Sequence, residues 1–302
     1  MRLGISVTSG YPGVGDREAV RGLIERGRAA AAAELDHLSL GDHHATGGER
    51  PYVQNVPAIG RLMADWPADR SIGFLLLLPL WHPVLAAEQI GTLAAMSDAP
   101  FIVQTGIGAG TGQFAAMGAS LRTRGRVTDS AIGVIKRLLA GETVDVEDRG
   151  IIGAAISPRP PQPVEWWIGA GNAPAAIERA AREGDAWYAS PGIDGDELRS
   201  AAEAYRAACD RHGVAPRIAL RRDVLVGDDH DATVRRARSV IDRGYRGLDE
   251  QIIAGGVEQV AERMAAFASS GIDDIVTRII AVDQVTAVRS IELLGDVRRL
   301  LA

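Results

Sequence analysis

The sequence predicts a single α/β domain, a (β/α)8 barrel, and three observations predict it. Short runs rich in β-formers alternate with Ala-rich segments of helical period, there are eight such runs, and the 302 residues show no break in composition. Parallel barrels run to this length as one unit, and eight repeats favour a closed barrel over an open doubly wound sheet. The whole chain, 1–302, therefore reads as one domain.

The elements follow in order. "RLGISV" is the first strand, and a helix from about Asp16 to Ala33 follows it with Leu23 and Ile24 on its buried side. "LDHLSL" is the second strand. After a long polar loop "SIGFLLLL" is the third, leading into the helix "PVLAAEQIGTLAAMS" with Pro83 in its first turn. "FIVQTG" is the fourth strand, and its helix, from about Val127 to Ala140, stops at Gly141. "WWIGAG" and "DAWYAS" are the fifth and sixth strands, separated by the helix "PAAIERAARE" with Gly184 as its stop. The helix "DELRSAAEAYRAACDRHG" leads to the seventh strand, "RIALRRDVLVG". Helices "DATVRRARSVIDRG" and "VEQVAERMAAFASSG" precede the eighth strand, "DDIVTRII", and a last helix. Residues 141–164 interrupt the alternation. Their proline run reads as an insertion between the fourth helix and fifth strand, either a surface excursion or a lid over the barrel mouth.

With 46% hydrophobic and 24% charged residues the chain can bury a large core, and its net charge of -6 argues against a nucleic-acid surface. Cys209 is the only cysteine, which excludes an internal disulfide and a thiolate metal cluster. The longest apolar run, "IGFLLLLPLW", is about half the ~20 residues of a membrane helix and is interrupted by Pro79. These features read as a soluble cytoplasmic protein without membrane partners.

In such barrels the chemistry sits in loops at the carboxyl ends of strands. That rule selects "GDHHATGGERPY", "GIGAGTGQF" and "GAGNAPAA", each rich in glycine, where backbone approaches a ligand closely. The fourth-strand glycines fail the dinucleotide spacing Gly-x-Gly-x-x-Gly: counted from Gly106, the third glycine would fall at Thr111. Gly106 and Gly108 instead let backbone approach a ligand without side-chain obstruction. In the fifth loop, Gly169 and Gly171 free a turn before a helix that starts near Asn172 or Ala173 with Pro174 in its first turn. Free amides and the positive helix end suit a phosphate there; an ordinary helix cap is the alternative. His43 and His44 are adjacent, and no His-x-His or cysteine pattern supports a metal. Asp42 could orient an imidazole, or the pair could be a solvated surface feature. No Gly-x-Ser-x-Gly elbow is present, which disfavours a serine hydrolase, and paired-carboxylate hydrolysis has no supporting loop motif.

Several segments, in order, resemble the luciferase-like monooxygenase family of barrel flavoproteins: "LSLGDHH", "LLLLPLWHPVLAAEQIGTLAAMS", "FIVQTGIGAG", "IGVIKRLLAGETV" and "ISPRPPQPVEWWIGAGNAPAAIERAAREGDAW". The resemblance implies a barrel with a lid insertion, usually a homodimer, holding a flavin or deazaflavin ring at the mouth. It implies an oxidoreductase that moves hydride to or from a small organic substrate, with F420 as first cofactor and FMN as second. An FMNH2-dependent monooxygenase and a non-catalytic flavin-binding protein are the alternatives. By family position His43 is the catalytic histidine with Asp42 beside it. Gly73 and Phe74 flank a strand-three bulge, often a non-prolyl cis peptide, that buttresses the ring. Gly169, Ala170, Gly171, Asn172 and Ala173 hold the cofactor phosphate. The acidic tail of F420 implies a basic rim, for which Arg159, Arg179 and Arg182 are candidates. The chain departs from the family at Asp98-Ala99-Pro100, where Gly-Gly-Arg is common, at Ala170, and at Thr111, where some F420 enzymes carry a glutamate.

Overall fold

The structure is a computed structural model that describes residues 1–47, 52–245, 248, 250–281 and 283–301. In chain order its strands are β1 (Arg2–Val7), β2 (His37–Leu40), β3 (Ser71–Leu77), β4 (Ile102–Gly106), β5 (Val144–Val146), β6 (Ile151–Ala154), β7 (Glu165–Ala170), β8 (Ala186–Ala189), β9 (Ile218–Val226), β10 (Ile253–Gly255) and β11 (Asp274–Ile279). Eight of them, β1 to β4, β7 to β9 and β11, are the predicted eight. They pair in parallel around a closed ring, sealed where β8 meets β9 and where β1 meets β11. The helices are α1 (Asp16–Ala32), α2 (Asn55–Leu62), α3 (Pro83–Ala94), α4 (Thr111–Ala116), α5 (Arg124–Leu139), α6 (Pro174–Glu183), α7 (Gly195–His212), α8 (His230–Ile241), α9 (Val257–Ser269) and α10 (Gln284–Leu301).

The period of two along each strand divides the core. Leu3, Ile5, Leu38, Leu40, Phe74 and Val103 face outward and pack beneath the helices. Ile102, Trp167, Ala186, Tyr188, Ala219 and Val276 face inward and fill the barrel. One layer nearer the amino ends of the strands, the filling becomes ionic. Asp274, wholly buried, accepts from Arg2 at 2.5 Å and from Arg217 at 2.9 Å. Glu165 accepts from Arg217 at 3.1 Å and from the Trp167 indole at 2.9 Å.

His37 lies in the same layer, its ring edge-on to Trp167 at 5.1 Å. Gly4 makes room for it, because a Cβ there would overlap the imidazole. Burial pushes the His37 pKa down to about 4, with Asp274 opposing the shift. Between its ordinary value near 6.5 and about 4, the unfolded chain binds a proton that the folded chain refuses. Stability is therefore undiminished above pH 6.5 and falls as pH drops towards 4, by about 3 kcal/mol from this group. Urea unfolding at pH 7.5 and 4.5 should show that slope, and a His37→Leu variant should lose its share of it. An equally steep slope in the variant would assign the pH dependence to other groups.

The insertion at 141–164 is present, but it is not a lid. Helix α5 descends from the mouth, so the segment joining it to β7 belongs to the opposite end of the barrel. There β5 and β6 form an antiparallel hairpin, and Gln162 donates to the carbonyls of Ser97 and Asp98 beyond the end of α3. The segment that does reach the mouth follows β9, and includes α8 and β10. Its Tyr245 hydroxyl donates to Asp223 on β9 at 2.6 Å.

Candidate active site

The mouth is assembled from loops that the barrel brings to one end. After β2 the chain folds back across β1: the Val53 amide donates to the Ser9 carbonyl at 3.0 Å, and Tyr52 bridges Gly10. Gly10 is required by the aromatic ring, since a Cβ there would stand 2.7 Å from Tyr52. The ring of His43 stacks on Tyr52, 3.8 Å between centroids and 6° from parallel. Residues 48–51 of this loop lie outside the described residues.

Asp42 is 4% exposed and serves as the hub of the corner. Its Oδ2 accepts from the Leu77 amide and from the Trp81 indole, both at 2.7 Å, and its Oδ1 lies 3.0 Å from His44 Nε2. Asp42 and His44 thus sit side by side without a hydrogen bond between them, while the His43 ring lies on the aromatic wall. The His44 amide donates to Gln113 of α4 at 2.6 Å, which ties the second and fourth loops together.

A cavity of about 610 Å3 opens beneath residues 240–245, and its wall includes Thr8, Tyr11, Tyr52, Tyr245, Arg278 and Ile280. The Tyr11 hydroxyl is buried with no partner among the described residues, and burial pushes its pKa up to about 12. It remains a neutral phenol able to bond a ligand. Deeper in the throat, Arg221 holds Asp223 in a two-pronged pair at 2.7 and 3.0 Å. Burial alone would raise the Asp223 pKa; Arg221 and Tyr245 outweigh it and keep the carboxyl ionised below its usual range. On β4, Gln104 is 1% exposed and faces the barrel interior, and its Nε2 lacks an acceptor among the described residues.

Gly106 and Gly108 stand at the end of β4, and Gly108 adopts φ of +68°. The turn after β7 lies across the mouth. A Cβ on Gly169 would overlap the Thr105 carbonyl, which explains that glycine as a close strand contact. The amides of Gly171, Asn172 and Ala173 meet no acceptor among the described residues, and α6 begins with Pro174. The Asn172 side chain is engaged, donating to Glu197 at 2.6 Å, and Ala170 points outward with its carbonyl accepting from the Trp187 indole at 2.9 Å.

Three expectations are corrected. Phe74 faces the helices, T-shaped against Phe101 at 5.2 Å, and Gly73 lies within the barrel, where a Cβ would overlap the Ile102 carbonyl; neither reaches the mouth. The one cis peptide among the described residues is Ser157–Pro158, so no such bond marks strand three. The expected basic rim is also not there. Arg179 pairs with Asp129 at 2.6 Å, Arg182 with Glu183 at 3.0 Å, and Arg159 lies against Gly141 at the far end.

The structure also brings in residues the sequence reading did not single out: Tyr11, Tyr52, Gln104, Arg221, Asp223, Tyr245 and Arg278. Arg221 and Asp223, two apart on β9 and so on one face, were the available signal, because charged side chains on a barrel strand point inward only at a functional or ionic layer. Thr111 opens α4 and is exposed, so it contributes no acid. Among the described residues no group of three or more His, Cys, Asp or Glu side chains is placed to hold a metal, and no helix is long and apolar enough to cross a membrane.

Comparison with known proteins gives the same architecture. The uncharacterized protein Rv0940c of Mycobacterium tuberculosis is 32% identical over 155 residues, 49% of this chain and 51% of that protein, so the chain spans about half the length of the curated relatives it matches. The monooxygenase RslO1 from Streptomyces bottropensis superimposes with a TM-score of 0.86 at 19% identity, covering 98% of each chain. An F420-dependent secondary alcohol dehydrogenase, solved with an F420-acetone adduct, gives 0.80 at 14% identity, covering 100% of this chain and 99% of that one. The profile of the luciferase-like monooxygenase family matches residues 1–251, and with that span the chain belongs to this family.

Proposed function

We propose that this protein is an oxidoreductase that binds a flavin or deazaflavin at the barrel mouth, F420 first and FMN second, and works on a small organic substrate. The observation that carries the reading is the cavity walled by Tyr11 and Tyr52, with His43 stacked on Tyr52 and a buried, unpartnered Tyr11 hydroxyl. The donor set suits a flat, carbonyl-bearing ring: Tyr11 and Gln104 offer buried donors, while Gly106 and Gly108 let Leu77 and Phe114 pack closely against the end of β4. The amides of Gly171, Asn172 and Ala173 would hold the phosphate. When bound, such a cofactor supplies the hydride chemistry, and the protein supplies position, dryness and proton handling.

His43 holds or moves the substrate proton from its place on Tyr52, and Asp42 fixes the backbone of that corner. Tyr245, bonded to Asp223, keeps the β9 excursion over the cavity and limits water. The second reading, an FMNH2-dependent monooxygenase, is favoured by the engagement of Arg179 and Arg182 with Asp129 and Glu183, because FMN has no acidic tail to meet. A binding protein without turnover is the third, and the exposed Thr111 in place of an acid favours it.

Fluorescence titration with F420, FMN and FMNH2 tests binding and ranks the cofactors. His43→Ala should then lower turnover with enones, aldehydes or alcohols by about 10²-fold or more, with cofactor affinity changed less than about threefold. Equal loss of both would make His43 a binding residue. Tight binding with no turnover across the panel would favour the third reading.

A further inference from the structure

Outside the barrel, between α7 and α9, lies a second cavity of about 270 Å3. Its floor is apolar, formed by Leu198, Ala202, Ala266, Phe267 and Ile272. Three cations rim it: Arg199, Arg206 and Arg263. Arg206 is fixed in place, donating to the carbonyls of Ser270 at 3.1 Å and Gly271 at 3.3 Å. Arg199 pairs with Asp196, whose side chain is 95% exposed and stands outside the groove.

A fourth guanidinium lies against the same walls. Arg222 on β9 points outward, is 0% exposed, and sits 4.9 Å over the Phe267 ring. It bonds Asp194 at 3.2 Å and the Ile193 carbonyl at 2.8 Å, while its Nε finds no acceptor among the described residues. Asp194 is the one carboxylate among the residues lining the cavity, and Arg222 already uses it. Positive charge is thus left in surplus around an apolar slot, in a chain whose net charge is -6. Like charges held together repel, and an anion lodged among them relieves the repulsion while gaining charge-assisted hydrogen bonds.

We infer that the groove between α7 and α9 binds a small amphiphilic anion, a carboxylate or sulfonate carried on a flat or short apolar body. The apolar floor takes the body and the arginine rim takes the head. The volume is just under the usual range of ligand sites, about 300–1,000 Å3, which limits the body to one or two rings. The site lies on the helical face and is independent of the cofactor at the mouth.

The probe is 8-anilinonaphthalene-1-sulfonate, titrated by fluorescence into the full chain, with neutral N-phenyl-1-naphthylamine as its uncharged counterpart. The double variant Arg199→Glu, Arg263→Glu alters exposed side chains only, and its thermal unfolding is compared with the parent. Sulfonate affinity is expected to fall at least tenfold in the variant, and binding of the neutral probe to change less than twofold. Sulfonate binding within twofold of the parent would overturn the inference, as would its full displacement by whichever of F420 or FMN binds the mouth. A variant that changes oligomeric state with unaltered probe binding would also overturn it, making the groove an interface between copies.

Discussion

Asp274→Ala is expected to lower the unfolding free energy by about 3–5 kcal/mol, measured by urea denaturation at pH 7.5. The carboxylate is 0% exposed and is shared by Arg2 on the first strand of the ring and Arg217 just before the seventh. Removing it leaves two guanidinium groups around an unfilled site with Glu165 as their remaining acid. Two partly buried cations left to share one carboxylate are what make such a truncation costly. A compensating Asp274→Ala, Arg217→Met pair should therefore recover part of the loss, because it removes a stranded cation together with its acid. No recovery would mean that volume, not charge, sets the cost.

Asp42→Ala is expected to lower stability by about 3 kcal/mol and to reduce turnover at least tenfold. A buried carboxylate accepting two hydrogen bonds is lost, and the donors of Leu77 and Trp81 are left unmet. Asp42→Asn keeps one acceptor oxygen and should restore about half of the stability. It should not restore turnover if the charge beside His44 matters to the reaction. Calorimetry and steady-state kinetics on the two variants separate the scaffold role from the electrostatic one. Equal recovery of both quantities would assign Asp42 to the scaffold alone.

All eight barrel strands could be read from the sequence because each is a β-rich run ended by glycine or a polar turn, and the long helices carry clear apolar faces. The short elements escaped. Helix α2 carries Pro57 at its third position and follows a polar loop; α4 spans six residues with Gly112 at its second; β10 is three residues long. The placement of Phe74 needed the phase of β3, and "SIGFLLLL" is apolar on both faces, so no alternation marks which residues point inward. The position of the insertion was decidable from order alone, since a connector from helix to strand must lie opposite the mouth. At the candidate site, the loops were legible from their glycines. The β9 charges and Tyr245 were not, because their meeting depends on register and on a segment that returns over the barrel.

The ring is sealed between elements far apart in the chain. Strand β1 gains β2 on one edge within about forty residues, but its other edge pairs with β11, where Arg2 meets Asp274. During synthesis every intermediate shorter than that is an open sheet with two bare edges, the kind of surface on which strands of neighbouring chains add. Closure is the step of highest sequence separation and its entropic cost comes late. The ionic layer of Arg2, Arg217 and Asp274 is completed only by that closing strand. It thus acts as a clasp, rewarding the correct end-to-end pairing and leaving a register-shifted closure with buried charges unmatched.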